Sequence, residues 1–67
     1  MPYVNIKVTR EGVTQEQKRR LVRGTTELLA EVLGKAPAST FVVIDEVDLD
    51  NWGIGGLPVP EWRANKK

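Results

Sequence analysis

The chain opens with an alternation of apolar and polar positions. Val4, Ile6 and Val8 are apolar, and the residues between them are polar. A period of two is typical of a β-strand with one buried face. A short loop over residues 9–13 follows this segment. The pattern therefore predicts a first strand near the start of the chain.

The spacing of apolar residues then changes to three and four, which indicates one face of an α-helix. Thr14 and Gln17 fit the capping box that opens a helix, and Gly34 stands where a left-handed C-cap is expected, with Pro37 shortly beyond it. We therefore predict a helix from about Gln15 to Leu33. Its apolar stripe consists mainly of Leu21, Leu28, Leu29 and Val32.

A second strand is predicted from Thr40 to Val47, where nearly every position is apolar or β-branched. Such a run is typical of a strand buried on both faces. The helix between the two strands has the length of a crossover, so we expect parallel strands with a right-handed connection. The fold class is thus α+β, a βαβ unit. Its single helix covers one face of the sheet, and the bare face needs a partner.

The segment after the second strand combines an aromatic residue with glycines. Asp48–Asn51 is predicted to turn, and Trp52 is followed by Gly53–Gly56, which favours a tight C-terminal hairpin or a backbone-lined pocket wall. No helix is predicted in the tail, residues 58–67. We expect Trp62 to dock on its own domain or on a neighbouring subunit, and the last residues to fray. Residues 1–67 are expected to form one domain.

Composition adds a second argument for assembly. A chain of 67 residues buries about 60% of its unfolded surface and is marginal as a monomer. The chain has no Cys and no His, so it cannot form disulfides and would have only carboxylates to hold a metal ion. We therefore expect an oligomer to stabilise the fold. The net charge of +1 gives no reason to propose nucleic acid. No membrane span or signal peptide is visible, and we expect a cytoplasmic protein.

The candidate chemistry lies at the start of the chain. Pro2 follows Met1 directly, and a residue as small as proline in second place usually permits removal of the methionine. Pro2 would then carry a free secondary amine, which acts as a base if its pKa lies near the working pH. Taken alone, Pro2 favours a purely structural role, because proline after methionine is common and proline is tolerated at the first position of a strand.

Several weak motifs occur together and in one order. They are the Met-Pro start, the first strand around Ile6, Glu16–Lys18 at the helix start, Val43–Val47 and Trp52–Gly56. Together they resemble the 4-oxalocrotonate tautomerase family over residues 2 to about 57. The resemblance implies a βαβ protomer with a short C-terminal hairpin, assembled as a hexamer that is built from dimers. It also implies an isomerase that needs no cofactor and acts in the degradation of aromatic compounds.

The resemblance assigns roles to two residues. Pro2 would be the general base that moves a proton between the enol oxygen and a carbon of a 2-oxo acid, of the 2-hydroxymuconate or aryl enol type. Trp52 stands where the family places an aromatic residue that helps to form the pocket. An apolar pocket disfavours the charged ammonium and lowers the pKa of the amine toward neutrality.

This sequence differs from the family at the positions of the two expected arginines. Its two usual arginine positions fall on Val13 and Phe41 in this sequence. Arg10, in a first loop with one extra residue, is the predicted substitute, and Arg63 in the tail of a neighbouring chain is a weaker candidate. Phe41 makes the predicted substrate pocket more apolar. We therefore expect weaker turnover of dicarboxylates, or a preference for monoacid or aryl substrates.

Two other functions fit the residues. Relatives on the same scaffold add water to unsaturated acids or remove halide from them, which requires a carboxylate to activate water. Glu46, Asp45 and Glu11 are the candidates for that role by sequence. The other reading is a catalytically inert oligomeric domain, which retention of Met1 would favour, because an acylated Pro2 nitrogen is not a base.

Overall fold

The computed structural model describes residues 1–65 and contains a βαβ core followed by a hairpin and a second helix. Strands β1 and β2 pair in parallel, and β3 and β4 form the short antiparallel hairpin. The predicted α+β fold with its long crossover helix is confirmed. The elements are β1 (Tyr3–Thr9), α1 (Gln15–Leu33), β2 (Phe41–Val47), β3 (Gly53–Ile54), β4 (Leu57–Pro58) and α2 (Val59–Asn65).

Helix α1 has the boundaries that its capping residues predict. The backbone N–H of Gln17 donates to the Thr14 hydroxyl at 3.1 Å, and the backbone N–H of Thr14 donates to the Gln17 side chain at 2.9 Å. At the other end Gly34 adopts a φ of 67° and donates its N–H to the carbonyl of Ala30. Both ends are therefore closed by local interactions, which is why sequence alone locates them.

The two faces of the β1–β2 sheet have different surroundings. Glu46 forms a salt bridge with Lys18 of α1, so its face of the sheet is the one that the helix covers. Lys7 and Asp45 are cross-strand partners on the other face, with Nζ and Oδ2 2.9 Å apart. Because side chains alternate along a strand, this open face is shared by further residues. They are Tyr3, Asn5, Phe41 and Val43.

The single protomer has very little core. Among the described residues, Val59 is the one buried hydrophobic side chain, at 6% exposure. The accessible surface is 5142 Å², whereas a folded monomer of this mass exposes about 4,250 Å². The radius of gyration is 15.5 Å, compared with about 11 Å for a compact domain of this length. The protomer thus exposes more surface than a compact monomer of its size, as expected of a subunit in an oligomer.

Burial of β2 on both faces, which the sequence predicts, is not found in the protomer. Phe41 and Val43 remain 52% and 41% exposed. The reason is that a two-stranded sheet with one packed helix leaves its second face open. Burial of that face requires a second copy of the chain or another partner.

The absence of a helix in the tail is a second prediction that the structure corrects. Residues Val59–Asn65 form α2, with Pro60 in the first turn, where a helix does not need its N–H. Trp62 lies over the hairpin, and a Cβ placed on Gly55 would be 3.7 Å from its Cδ1. Trp62 therefore contacts its own domain. The predicted fraying falls on residues 66–67, which lie outside the described residues.

Candidate active site

Pro2 and Phe41 meet at the amino end of the parallel sheet. The backbone N–H of Phe41 donates to the carbonyl of Pro2 at 2.9 Å, one position ahead of the Tyr3–Phe41 pair. Pro2 is half-buried, whereas Met1 is 84% exposed. The structure thus brings together two of the residues that sequence analysis selected.

Arg10 and Trp52 lie at the opposite, carboxyl end of the sheet. The Arg10 Nε donates to Asp48 Oδ1 at 2.8 Å, and its Nη2 donates to the carbonyl of Glu46 at 3.1 Å. Eight residue-to-residue steps of extended chain lead from Pro2 to Arg10, a distance of about 26 Å. No side chain spans that distance, so within one protomer Arg10 and Pro2 do not share a site.

A cavity of 360 Å³ is present at this carboxyl end, where β1, the hairpin and α2 meet. Its apolar wall includes Val8, Ile54 and Val59, and Trp52 and Trp62 supply two aromatic rings. The backbone N–H of Val59 donates to the carbonyl of Trp52 at 2.9 Å, which fixes the start of α2 against the hairpin. This volume lies within the usual range for a site that binds a small molecule.

An ion pair stands at the same cavity. Arg63 Nη1 lies 2.8 Å from Glu11 Oε1, and the Thr9 hydroxyl donates to Glu11 Oε2. The hydrogen bond from Arg63, with a smaller contribution from Thr9, holds the pKa of the Glu11 carboxyl below its usual value. The same pairing raises the pKa of Arg63. Glu11 is therefore ionised at neutral pH and offsets the charge of the arginine.

The other two carboxylates proposed for water activation are engaged elsewhere. Asp45 accepts hydrogen bonds from Lys7 and Asn5 on the open sheet face, and these lower its pKa. Glu46 pairs with Lys18 on the helix face, which lowers the pKa of Glu46 as well. Of the three candidates, Glu11 is the one that lines the aromatic cavity.

Two wider hollows, of 490 and 460 Å³, run along the exposed side of α1. Their linings include Leu21 and Val22 together with Arg20 and Arg23, and neither contains Pro2 or a tryptophan. Shallow apolar depressions on a helix are typical of surfaces that pack against another chain. We therefore take the cavity with the two tryptophans as the candidate substrate pocket.

The described residues show no grouping of three or more acidic side chains that could hold a metal ion. Neither of the two described helices combines the length and apolarity needed to cross a bilayer.

Neither the position of Trp62 in the pocket nor the pairing of Glu11 with Arg63 is predicted from the sequence. The pair joins a loop after β1 to the last helix, and no periodicity links two such distant positions. The sequence does contain one signal for these cavity residues. Trp62 and Arg63 are adjacent, and a helix carries neighbouring residues to the same end of the molecule.

Comparison with known proteins identifies the class. The family described as "Tautomerase enzyme" matches residues 2–61. Probable tautomerase K2 from Dickeya dadantii is 60% identical over 63 residues, covering 94% of each chain. The 2-hydroxymuconate tautomerase of Bacillus subtilis is 41% identical over 56 residues, covering 84% of this chain and 89% of its own.

Among solved structures, DmpI from Helicobacter pylori superposes with a TM-score of 0.87 at 45% identity, covering 97% of this chain and all of its own. The protein is therefore a tautomerase, an enzyme of the isomerase class. It belongs to the 4-oxalocrotonate tautomerase family, as the motifs of its sequence indicated.

Proposed function

We propose that this tautomerase interconverts the enol and keto forms of 2-oxo acids, of the 2-hydroxymuconate or aryl enol type, with Pro2 as general base and without a cofactor. The similarity to a 2-hydroxymuconate tautomerase supports this substrate class. A cytoplasmic location belongs to the same proposal. The observation that carries the proposal is the anchoring of Pro2 through its carbonyl, which leaves its nitrogen outside the hydrogen-bond ladder.

Removal of Met1 would cost the fold little. A proline nitrogen in a peptide bond has no N–H, so cleavage breaks no ladder hydrogen bond. Met1 is 84% exposed and contributes little packing. The new secondary amine of Pro2 would remain in place, because the hydrogen bond from Phe41 to its carbonyl is untouched.

The proposed reaction is a proton transfer in two balanced halves. The amine of Pro2 takes the proton of the 2-hydroxyl group, the O–H bond breaks and the carbonyl forms. The displaced electron pair moves along the conjugated chain to carbon, which then receives the proton from the prolinium. An apolar pocket around the amine in the assembled protein would disfavour the charged form and lower the pKa of the amine, which suits a base near neutral pH.

The complete site would be formed between copies of the chain. Pro2 and Phe41 lie at one end of the sheet, whereas Arg10 lies about 26 Å away at the other. Trp52 lies at the same end as Arg10, in a cavity with Val8 and Thr9. If these residues serve one substrate, they must come from different protomers. The surplus exposed surface of about 900 Å² and the open face of the sheet support such an assembly. A hexamer is part of this proposal.

Arg10 retains its proposed role as a substrate-binding cation only in this arrangement. It lies at the same end of the sheet as Trp52, and Asp48 orients its guanidinium. A neighbouring protomer could therefore present both side chains to Pro2.

The first experiment is ultraviolet-monitored ketonisation of 2-hydroxymuconate by the native protein and by Pro2→Ala, after intact mass has shown that Met1 is absent from both. We expect the rate of Pro2→Ala to fall by about 10²-fold or more, because positioned general bases contribute on this scale. Pro37→Ala, a proline loss in the short turn after α1, is the matched control. A chemically synthesised chain that retains Met1 should be as inactive as Pro2→Ala.

Native turnover that survives Pro2→Ala would refute the proline as base. Absence of native turnover on 2-hydroxymuconate and on an aryl enol such as enol-phenylpyruvate, with Met1 shown to be absent, would favour the inert oligomeric domain.

A second candidate function is supported by the position of Glu11. A hydratase or dehalogenase needs a carboxylate that activates water next to an unsaturated acid. Glu11 is ionised and lines the cavity with Trp52. Release of halide from 3-chloroacrylate that is lost in Glu11→Gln but retained in Glu46→Gln would support this activity. Equal loss in both variants would contradict it.

A further inference from the structure

The aromatic cavity contains one cation among the described residues that line it, and that cation is Arg63. Its other described lining groups are apolar, aromatic or hydroxyl-bearing, apart from Glu11. Arg10, the cation that the sequence favoured, is directed to Asp48 and to the backbone of β2 instead. Of the two arginines at this end of the protomer, Arg63 is therefore the one positioned at the cavity.

We propose that Arg63 binds the carboxylate of the substrate in this cavity, and that Glu11 competes with the substrate for the same guanidinium. The inference rests on the proposed tautomerase site and names its cation and its substrate class. That class is a planar, conjugated acid with its carboxylate on Arg63 and its chain between tryptophan rings.

Helix α2 is what makes Arg63 suitable for this task. As part of a tail it would lack a defined position, but it lies within a helix whose first residue, Val59, is the best buried side chain of the described chain. Trp62, one position earlier, lies against Gly55 of the hairpin. The backbone that carries Arg63 is thus fixed on two sides, whereas its side chain remains half-exposed and accessible to a ligand.

The pairing with Glu11 leaves room for a second anion. A guanidinium has five N–H donors in a planar fork, and Glu11 Oε1 is held at 2.8 Å by Nη1. Thr9 donates to the other oxygen of Glu11, which keeps this carboxylate in place at the edge of the cavity. A substrate carboxylate can therefore share the guanidinium or displace Glu11 from it.

The charge of Glu11 sets the strength of the site. A bare arginine would attract any anion, whereas the Arg63–Glu11 pair is close to neutral. Binding of acids is then weaker than a free cation would give, and the tryptophan walls contribute a larger share. Planar π systems gain additional stabilisation from aromatic neighbours, which favours dienes and aryl groups over saturated chains.

The two tryptophans provide a direct test, because the chain has only these two and both line the cavity. Intrinsic fluorescence would be titrated with adipate, a diacid that cannot tautomerise, and with its uncharged diamide, adipamide. We expect Arg63→Met to weaken adipate binding by about 10- to 100-fold, the scale of a charge-assisted hydrogen bond, and to leave adipamide unchanged. Arg63→Lys should restore part of the loss.

Glu11→Gln is expected to change the affinity for adipate in the opposite direction. Removing the competing charge should tighten adipate binding by about two- to fivefold, the scale of a partly exposed ion pair. A misfolded variant would not bind more tightly, so this result cannot arise from structural damage. Arg19→Met, which removes an exposed arginine of α1, is the matched control for loss of positive charge.

Three outcomes would overturn the inference. They are unchanged adipate binding in Arg63→Met, a larger loss in Arg10→Met than in Arg63→Met, and weaker binding in Glu11→Gln.

In steady-state kinetics Arg63→Met should raise KM for 2-hydroxymuconate by a larger factor than it lowers kcat. The binding titration needs no turnover, so it still tests Arg63 if Pro2 fails as the base. Loss of turnover in Pro2→Ala with native adipate binding in Arg63→Met would leave the proposed function standing and reject Arg63.

Discussion

The backbone N–H of Phe41 donates to the carbonyl of Pro2 at 2.9 Å, so an aromatic side chain is fixed in the strand next to the proposed catalytic residue. The resemblance to the family places an arginine at the position of Phe41. The exchange of a cation for an aromatic ring in the strand beside Pro2 predicts a different substrate preference and a different pKa for the amine.

Phe41→Arg should raise kcat/KM for 2-hydroxymuconate relative to an aryl enol by about tenfold, because an added cation binds the second carboxylate. A cation beside the amine also disfavours prolinium and lowers the pKa of Pro2, so the acidic limb of the pH–rate profile should move to lower pH. Phe41→Leu keeps the site apolar and is the control. Equal turnover of the two substrates by the native enzyme, or the same ratio in both variants, would contradict this prediction.

Replacement of a glycine by alanine is expected to have opposite effects on stability at Gly56 in the hairpin and at Gly24 in α1. Gly56 has a φ of 86° and open space where a Cβ would lie, so Gly56→Ala should destabilise the fold by about 1 kcal/mol through backbone strain alone. Gly24 has no positive φ and also faces open space in the protomer. Gly24→Ala should stabilise α1 by up to about 1 kcal/mol.

Urea unfolding at a fixed protein concentration would measure both substitutions. Destabilisation by Gly24→Ala would show that a neighbouring chain approaches α1 closely at this position. A stabilising effect of Gly56→Ala would be inconsistent with the left-handed conformation of the hairpin.

The elements that sequence predicted correctly are those with local causes. Helix α1 begins at a capping box and ends at a left-handed glycine, and both devices involve residues within one turn of each other. Helix α2 was missed because seven residues show too little periodicity and because Pro58 and Pro60 favour a loop reading. Proline is compatible with the first turn of a helix, but sequence alone does not show that a helix follows.

The residues of the candidate site divide in the same way into those with local signals and those that depend on tertiary structure. Pro2 could be selected from its position in the chain and its chemistry. The pairing of Arg63 with Glu11 depends on how α2 returns to the end of β1, which only the tertiary structure defines. The separation of Pro2 from Trp52 likewise follows from strand length and register.

The Lys18–Glu46 salt bridge predicts a pH-dependent contribution to stability. Lys18 holds the pKa of the Glu46 carboxyl below its usual value of 4.5, so the folded state binds this proton less readily than the unfolded chain. The stabilisation is therefore present above about pH 4.5 and is lost as the pH falls through the lower folded-state pKa.

Urea midpoints of the native protein and Glu46→Gln should accordingly differ at pH 7 and converge as the pH falls below the folded-state pKa of Glu46. Glu27→Gln, on the exposed side of α1, serves as the control for loss of a glutamate charge. A gap between native protein and Glu46→Gln that is the same at pH 3 and pH 7 would show that Glu46 contributes through packing and not through its charge.

The exposed apolar residues predict that activity depends on assembly. Val43 lies on the open face of the sheet at 41% exposure, and Val32 lies on α1 at 67% exposure. A charge at either position would be buried unpaired if a second copy covers these surfaces, at a cost that a marginal subunit cannot offset. Val43→Glu and Val32→Glu should therefore shift the protein toward monomers in sedimentation velocity.

Turnover should fall in proportion to the loss of the assembled species, because Pro2 and Trp52 of one protomer lie at opposite ends of its sheet. Glu31→Lys, a charge change beside Val32 on an already polar position, is the control and should leave assembly intact. Full activity in a variant that sediments as a monomer would show that one protomer contains the whole site. The proposal that the pocket is shared between copies would then be wrong.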